Sequence, residues 1–261
     1  NGDYLRVMNE QMERFFDIEP YRTYRDYFNV STAIAVSQES GIGTVNTIRR
    51  TKFETTFAGG VGLRGDYSAI FNYAMKVSPV DESNLNQSLI IVTPNTIDYG
   101  GITEMWEDGS TIAFCPLSED TYPYDARGII QHEAGGHGFG KLGDEYIYHN
   151  GFIEFCCPLD FATLNHGKSL GWYENLSLTG KMHEVPWAHL IFDDRYSDVV
   201  DIYEGGFMHS RGVFRSEQNS CMNNNISYYN AISREAIVKR IMEYAGESYS
   251  FEKFVENDKR D

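Results

Sequence analysis

Positive charge is scarce in this chain: 22 Lys and Arg stand against 38 Asp and Glu in 261 residues, for a formal net charge of -16. Nucleic acids and anionic membrane surfaces demand a basic face, so neither is expected as a partner. Long apolar runs are missing too. No stretch approaches the roughly 20 residues needed to cross a bilayer, which excludes a membrane-spanning segment and leaves a soluble chain. The opening Asn1-Gly2-Asp3-Tyr4 lacks the charged and apolar regions of a signal peptide. Gly59 to Gly65 is glycine-rich but carries no GxxxxGK[ST] pattern, so it reads as a loop and not as a phosphate cradle. Asp193, Asp194, Asp198 and Asp201 lack the EF-hand glycine and terminal Glu, and read as a solvated acidic face. Internal repeats and low-complexity segments are absent.

Cysteine is sparse and informative mainly by its spacing. Cys115, Cys156, Cys157 and Cys221 form an even set, compatible with two disulfides outside the cell or with four thiols. Adjacent cysteines rarely bond each other comfortably. A four-Cys structural zinc site lacks its paired CxxC spacing. A thiol protease built on Cys157 and His166 lacks a nucleophile signature. His166 and His183 have no ligand spacing to link them and read as surface residues.

What is present fits one domain over residues 1–261. With 41% hydrophobic and 14% aromatic residues the chain can bury a substantial core, arranged as two lobes around a cleft and divided near residue 146. The order of elements suggests an α/β (α+β) catalytic lobe. Leu5, Met8, Met12, Phe15 and Phe16 recur at helical intervals, predicting a helix from Asp3 to Phe16. Val30 to Ser37 alternates like a strand. Asp66 is placed to cap a helix with Ala69, Ile70, Tyr73, Ala74 and Val77 on its buried stripe, and Ser88 to Thr93 reads as a buried strand. Thr111 to Cys115 reads as a further strand after a turn at Glu107-Asp108-Gly109. Asp125 is expected to cap the next helix, with Ala126, Ile129 and Ile130 facing the core. A last helix runs from Ser233, as cap, to Gly246.

The chemistry concentrates in His132-Glu133-Ala134-Gly135-Gly136-His137 and the residues to Tyr146. The usual helical zinc motif sets two His residues at i and i+4, roughly 40° apart around the helix. Here the interval is five, which on a regular α-helix separates the rings by roughly 140° and forbids a shared ion. A π-bulge absorbs one residue and restores the facing. Gly135 and Gly136 lie where that distortion is needed, each costing about 1 kcal/mol against Ala in a helix interior. Gly140 and Gly143 are placed to turn the chain out of the helix, so that a ligand beyond them swings back. Asp144 lies nearer the expected register, with Glu145 as the alternative.

The run from His132 to Tyr146, with Phe139, Leu142 and Asp144-Glu145-Tyr146, resembles the bacterial IgA-peptidase family of metzincin-like zinc metallopeptidases. Further support lies in Glu19-Pro20-Tyr21 to Tyr27-Phe28-Asn29-Val30, in Ser37-Gln38-Glu39-Ser40-Gly41, and downstream in Asn219-Ser220-Cys221-Met222, so the resemblance spans almost the whole chain. It implies a mixed twisted sheet, with the strand Thr111 to Cys115 at an edge where an extended peptide can pair with it, an active-site helix, a Met-turn and a C-terminal helix. Met222 fits the Met-turn by position, its thioether forming an apolar floor beneath the ligands. In the general metzincin pattern the third ligand stands six residues after the second His, where this chain has Gly143, so the acidic ligand is shifted as well. Export is also implied, to a secreted, cell-surface or periplasmic location, and members of the family commonly carry an additional N-terminal β-rich domain.

One catalytic zinc ion held by His132, His137 and Asp144 would leave an open position for a water acidified from a pKa of about 15.7 toward about 7. Glu133, next to a ligand, is the natural general base, and Tyr228 or Tyr229 is a candidate phenol for the oxyanion. The expected activity is hydrolysis of peptide bonds in an extracellular protein substrate. The alternative is a secreted, non-catalytic module binding a glycan or protein on the same scaffold.

Overall fold

A computed structural model describes residues 2–260, a mixed α+β chain with several small sheets. It divides into two compact units, Asn1–Asp17 with Arg25–Phe139, and Ile18–Tyr24 with Gly140–Asp261. No helix among the described residues is long and apolar enough to cross a membrane.

In the first unit, α1 (Gly2–Phe16) follows the apolar spacing of its sequence and buries Phe15 and Phe16. Phe28 packs on both rings, with centroids at 6.3 and 5.5 Å, and on Phe139 at 5.0 Å. A short ladder of β1 (Thr56–Phe57) and β2 (Leu63–Arg64) precedes α2 (Tyr67–Ala74), whose N-cap Asp66 accepts the Ala69 N–H at 2.9 Å. Then come β3 (Leu89–Val92), β4 (Ile102–Met105) and β5 (Thr111–Phe114), in the sheet order β3-β5-β4. β5 runs parallel to β3 and antiparallel to β4. Strand side chains alternate between faces. Ile112 and Phe114 therefore join Leu63, Ile70 and Val92 in one core. Thr111 and Ala113 turn to the other face, along which residues 131–139 pack.

Two sequence expectations change here. Thr111–Phe114 is not an edge: it is the central strand, buried at every position, and the edges are β3 and β4. Residues 30–37 form no strand. Val30, Ile34 and Val36 are exposed despite their alternation, and the carbonyls of Ala33 and Ile34 accept the Tyr4 and Tyr73 hydroxyls where a ladder would need main-chain donors.

α3 (Ala126–Ile130) begins where the sequence indicates, Asp125 accepting the Gly128 N–H at 3.0 Å. It runs directly into the helical segment Gln131–Phe139. Gln131 is fully buried, and its amide donates to the carbonyls of Arg14 at 2.9 Å and Asp17 at 3.2 Å, satisfying acceptors that the end of α1 leaves open.

In the second unit the chain passes through β6 (Ile147–Phe152), α4 (Ile153–Cys156), α5 (Pro158–Ser169), β7 (Leu176–Ser177), α6 (Ala188–Ile191), β8 (Tyr203–Gly206) and β9 (Met208–Arg215). β9 is the spine, parallel to β6 and antiparallel to β7 and β8. The unit closes with α7 (Cys221–Asn224), α8 (Ala231–Ala245) and α9 (Phe251–Asn257). Asn230, not Ser233, caps α8 by accepting the Ser233 N–H at 3.1 Å, and Gly246 ends it in the left-handed region. Buried Arg234 makes a two-pronged ion pair with Asp258, at 2.6 and 2.8 Å, and Tyr196 donates to the same carboxylate at 2.9 Å. Removing one member of such a pair typically costs about 3–5 kcal/mol, because its partner stays buried and charged.

Candidate metal centre and active site

The segment carrying both histidines, Gln131–Phe139, is a π-helix. Bonding from i to i+5 widens each turn, so residues five apart come to stand over one another. His132 and His137 do so, with ring centroids 4.8 Å apart and planes at 79°. The extra residue between them is absorbed as its spacing requires, along the whole segment and not at a single bulge. One donor atom each from His132, His137 and Asp144 lies within 4.8 Å of the others. Close packing accounts for the glycine at 138: a Cβ there would stand 2.6 Å from Leu89 Cδ1.

The turn that follows departs from expectation in one detail. Lys141, with φ 53°, takes the left-handed conformation expected of a glycine. Gly143 is required for a different reason, since a Cβ there would meet Leu176 Cδ1 at 2.5 Å. Asn175 clamps this loop: its carbonyl accepts the Gly143 N–H and its amide donates to the Gly143 carbonyl, both at 2.8 Å. The same amide reaches Glu145 Oε1 at 2.8 Å.

Glu145 is thereby assigned a structural place. It is fully buried; Asn175 and Asn230 donate to its Oε1 at 2.8 and 2.7 Å, and Ser220 donates to Oε2 at 2.5 Å. Burial pushes its carboxyl above the usual range, and these hydrogen bonds pull against that shift. With both oxygens engaged, Glu145 scaffolds the loop, and the half-buried Asp144 is the acid grouped with the histidines. Tyr173 is largely buried nearby, its phenol pushed up to about 12 by burial first and by the Asp144 charge second.

Met222 is fully buried in α7, a short turn that ends with Asn225 in the left-handed region. Its carbonyl accepts the Glu145 N–H at 2.7 Å. The turn that carries Met222 is thus tied to the residue that follows Asp144.

Glu133 is half-buried beside the edge strand. Thr103 on β4 donates to the Glu133 carbonyl at 2.8 Å and lies 3.0 Å from Oε2. Gly101 approaches so closely that a Cβ there would sit 2.9 Å from Glu133 Cγ and 3.0 Å from Oε1. Sequence reasoning missed Thr103, Gly101 and Asn175. Each is a common residue type far along the chain from what it touches, and nothing in its local pattern marks it.

The tyrosines are placed differently from expectation. Tyr228 donates its phenolic proton to Glu217 at 2.7 Å, and burial, then the Glu217 charge, push its pKa up to about 12. Tyr229 is fully buried against Tyr21, with centroids 6.1 Å apart. In this arrangement the Tyr228 proton is given to Glu217 and the Tyr229 side chain is enclosed.

A family of peptidases matches residues 1–188, well over half the chain. That family is IgA Peptidase M64, and the chain belongs to it. The match ends before Asn219–Met222, so Met222 lies outside it. No curated protein matches the chain.

Proposed function

We propose that this peptidase is a zinc-dependent endopeptidase acting on an extracellular protein, with His132, His137 and Asp144 as the ligands and Glu133 as the general base. The observation that carries the reading is the convergence of three donor atoms within 4.8 Å across a five-residue His interval, which the π-helical form of the segment allows and a regular α-helix would not. Two imidazoles and a carboxylate are a donor set suited to zinc with one position open. When bound, zinc supplies an acidified water and polarises the scissile carbonyl. Glu133 takes the proton of the attacking water and returns it to the leaving amine. Thr103 shares its hydroxyl proton between the Glu133 carbonyl and Oε2, which favours one orientation of the carboxylate and leaves Oε1 for the proton. Gly101 admits the carboxylate at a distance no side chain would permit.

The edge strand β4 is the docking line for an extended peptide, since its place at the end of the sheet suits main-chain pairing and it carries the threonine that positions Glu133. Met222 forms the apolar floor beneath the ligands, a role supported by its burial and its tie to Glu145. Export to a secreted, cell-surface or periplasmic location follows from the family resemblance of the His132–Tyr146 run.

Elemental analysis of protein purified without chelator, together with a mixed-peptide cleavage screen, tests the reading. Expected are chelator-sensitive cleavage restored by zinc, and loss of one zinc equivalent in His137→Ala. A protein whose zinc content ignores that substitution and which cuts nothing would instead be a binding module on a peptidase scaffold.

A further inference from the structure

A second donor cluster lies wholly within the second unit, and the proposed peptidase chemistry makes no use of it. Cys156 ends α4, Cys157 stands between α4 and α5, and His209 comes from the spine strand β9. One atom from each lies within 4.8 Å of the other two. His209 is fully buried. Its Nδ1 faces Cys156 Sγ at 3.5 Å, and its Nε2 stands 2.9 Å from Asp160 Oδ2. His149, paired with His209 across β6 and β9, lies beside it with ring centroids 5.3 Å apart, outside the three-donor group. No disulfide joins the cysteines among the described residues.

We propose that Cys156, Cys157 and His209 form a second site for a thiophilic divalent cation, zinc by preference, with Asp160 as the positioning residue behind the imidazole. Three observations support it. Bonds of about 2.3 Å to sulfur and about 2.0–2.1 Å to nitrogen at a tetrahedral zinc place S and N roughly 3.5 Å apart, and Cys156 Sγ and His209 Nδ1 are separated by 3.5 Å. A metal-bound histidine characteristically gives its other ring N–H to a carboxylate, which fixes the tautomer and leaves the first nitrogen with its lone pair toward the metal; Asp160 is placed for that. Two thiolates select zinc over the hard cations calcium and magnesium. The fourth position is filled by water. A thiol, an imidazole and a carboxylate also resemble a nucleophile relay, but a relay needs one sulfur, and the second one here decides for a metal. Bound there, the cation would pin the α4–α5 junction to the sheet spine, a stabilising role independent of peptide cleavage.

The test uses the full chain under a phosphine reductant, with cobalt exchanged for the native metal. Cobalt bound to thiolate gives a near-ultraviolet charge-transfer absorption that a His, His, Asp site cannot give. The band is expected in the wild type, and undiminished in the His132→Ala/His137→Ala double variant, so this site survives even if the zinc-peptidase reading fails. It is expected to vanish in Cys156→Ser and in Cys157→Ser, with peptide turnover within twofold of wild type. Should either serine variant fail to fold, zinc added to metal-free wild type is expected to slow iodoacetamide alkylation of Cys156 and Cys157 at least tenfold, with chelator reversing the protection. Absence of a thiolate band, a band indifferent to both substitutions, or alkylation indifferent to zinc would overturn the proposal; fast alkylation of Cys156 alone without metal would point to the nucleophile instead.

Discussion

The two donor clusters of this chain are built by opposite routes. His132, His137 and Asp144 fall within thirteen positions of one another, and the difficulty of joining them is local, because a regular helix would splay the rings. The chain meets that difficulty locally, with a nine-residue π-helix and a turn fixed by Asn175 and Glu145. Cys156, Cys157 and His209 require no unusual backbone. They sit at the end of α4, at the α4–α5 junction and on a strand, and come together because β9 runs beside β6, through two register shifts, and beside α4. A site encoded by a short motif needs backbone strain to work, and a site encoded by the fold needs only the fold.

That contrast can be broken experimentally. Glu133→Gln should have the largest effect, lowering kcat by roughly 10²–10⁴-fold with zinc content unchanged; undiminished turnover would remove Glu133 as the base. Asn175→Ala should act on the first cluster through its scaffold. With the Gly143 N–H and carbonyl stripped of this partner in a buried place and Glu145 losing one of its three side-chain donors, the fold should lose about 1–3 kcal/mol and catalytic zinc should bind roughly 10–100-fold more weakly. Denaturant melts and metal-buffered activity titrations measure the two effects separately, and a stable variant with unchanged affinity would show that the loop needs no clamp.

Asp160→Asn is the counterpart in the second cluster. Cobalt should bind there about 10–100-fold more weakly while peptide turnover holds, and a change in turnover without a change in cobalt affinity would mean that the clusters are not independent. Gly101→Ala should give the smallest effect, about a tenfold fall in kcat, below the roughly hundredfold loss that a 1 Å misplacement can cause. The added methyl displaces Glu133 without touching a ligand, so zinc content should not move. Wild-type turnover in this variant would show that the carboxylate adapts freely.

Much of the local structure was legible. Asp66 and Asp125 cap the helices their spacing suggested, the Leu89–Val92 run is a strand, and Gly246 stops the last long helix. These are interactions over three or four residues, where sequence and structure share one scale. The π-helix was legible for the same reason, from an interval and a pair of glycines. What failed involved partners. Residues 30–37 alternate without a strand to pair with, and Thr111–Phe114 became central because β3 and β4 take both its sides. Glu145 and Tyr228 looked available for chemistry until Ser220, Asn175, Asn230 and Glu217 occupied their polar atoms.

The sequence alone determined that two imidazoles and an acid would be offered close together, that the helix between them had to widen, and which residues start and stop the neighbouring helices, because such properties depend on bonds spanning a turn or two. Tertiary structure alone decided which acid was left half-buried beside the histidines, which carboxylate would be locked into scaffolding, which strand would hold the edge, and that two cysteines would meet a histidine 52 positions beyond the second of them. Burial and hydrogen bonding between distant segments set those outcomes, and a linear pattern carries no record of which distant group takes a polar atom first.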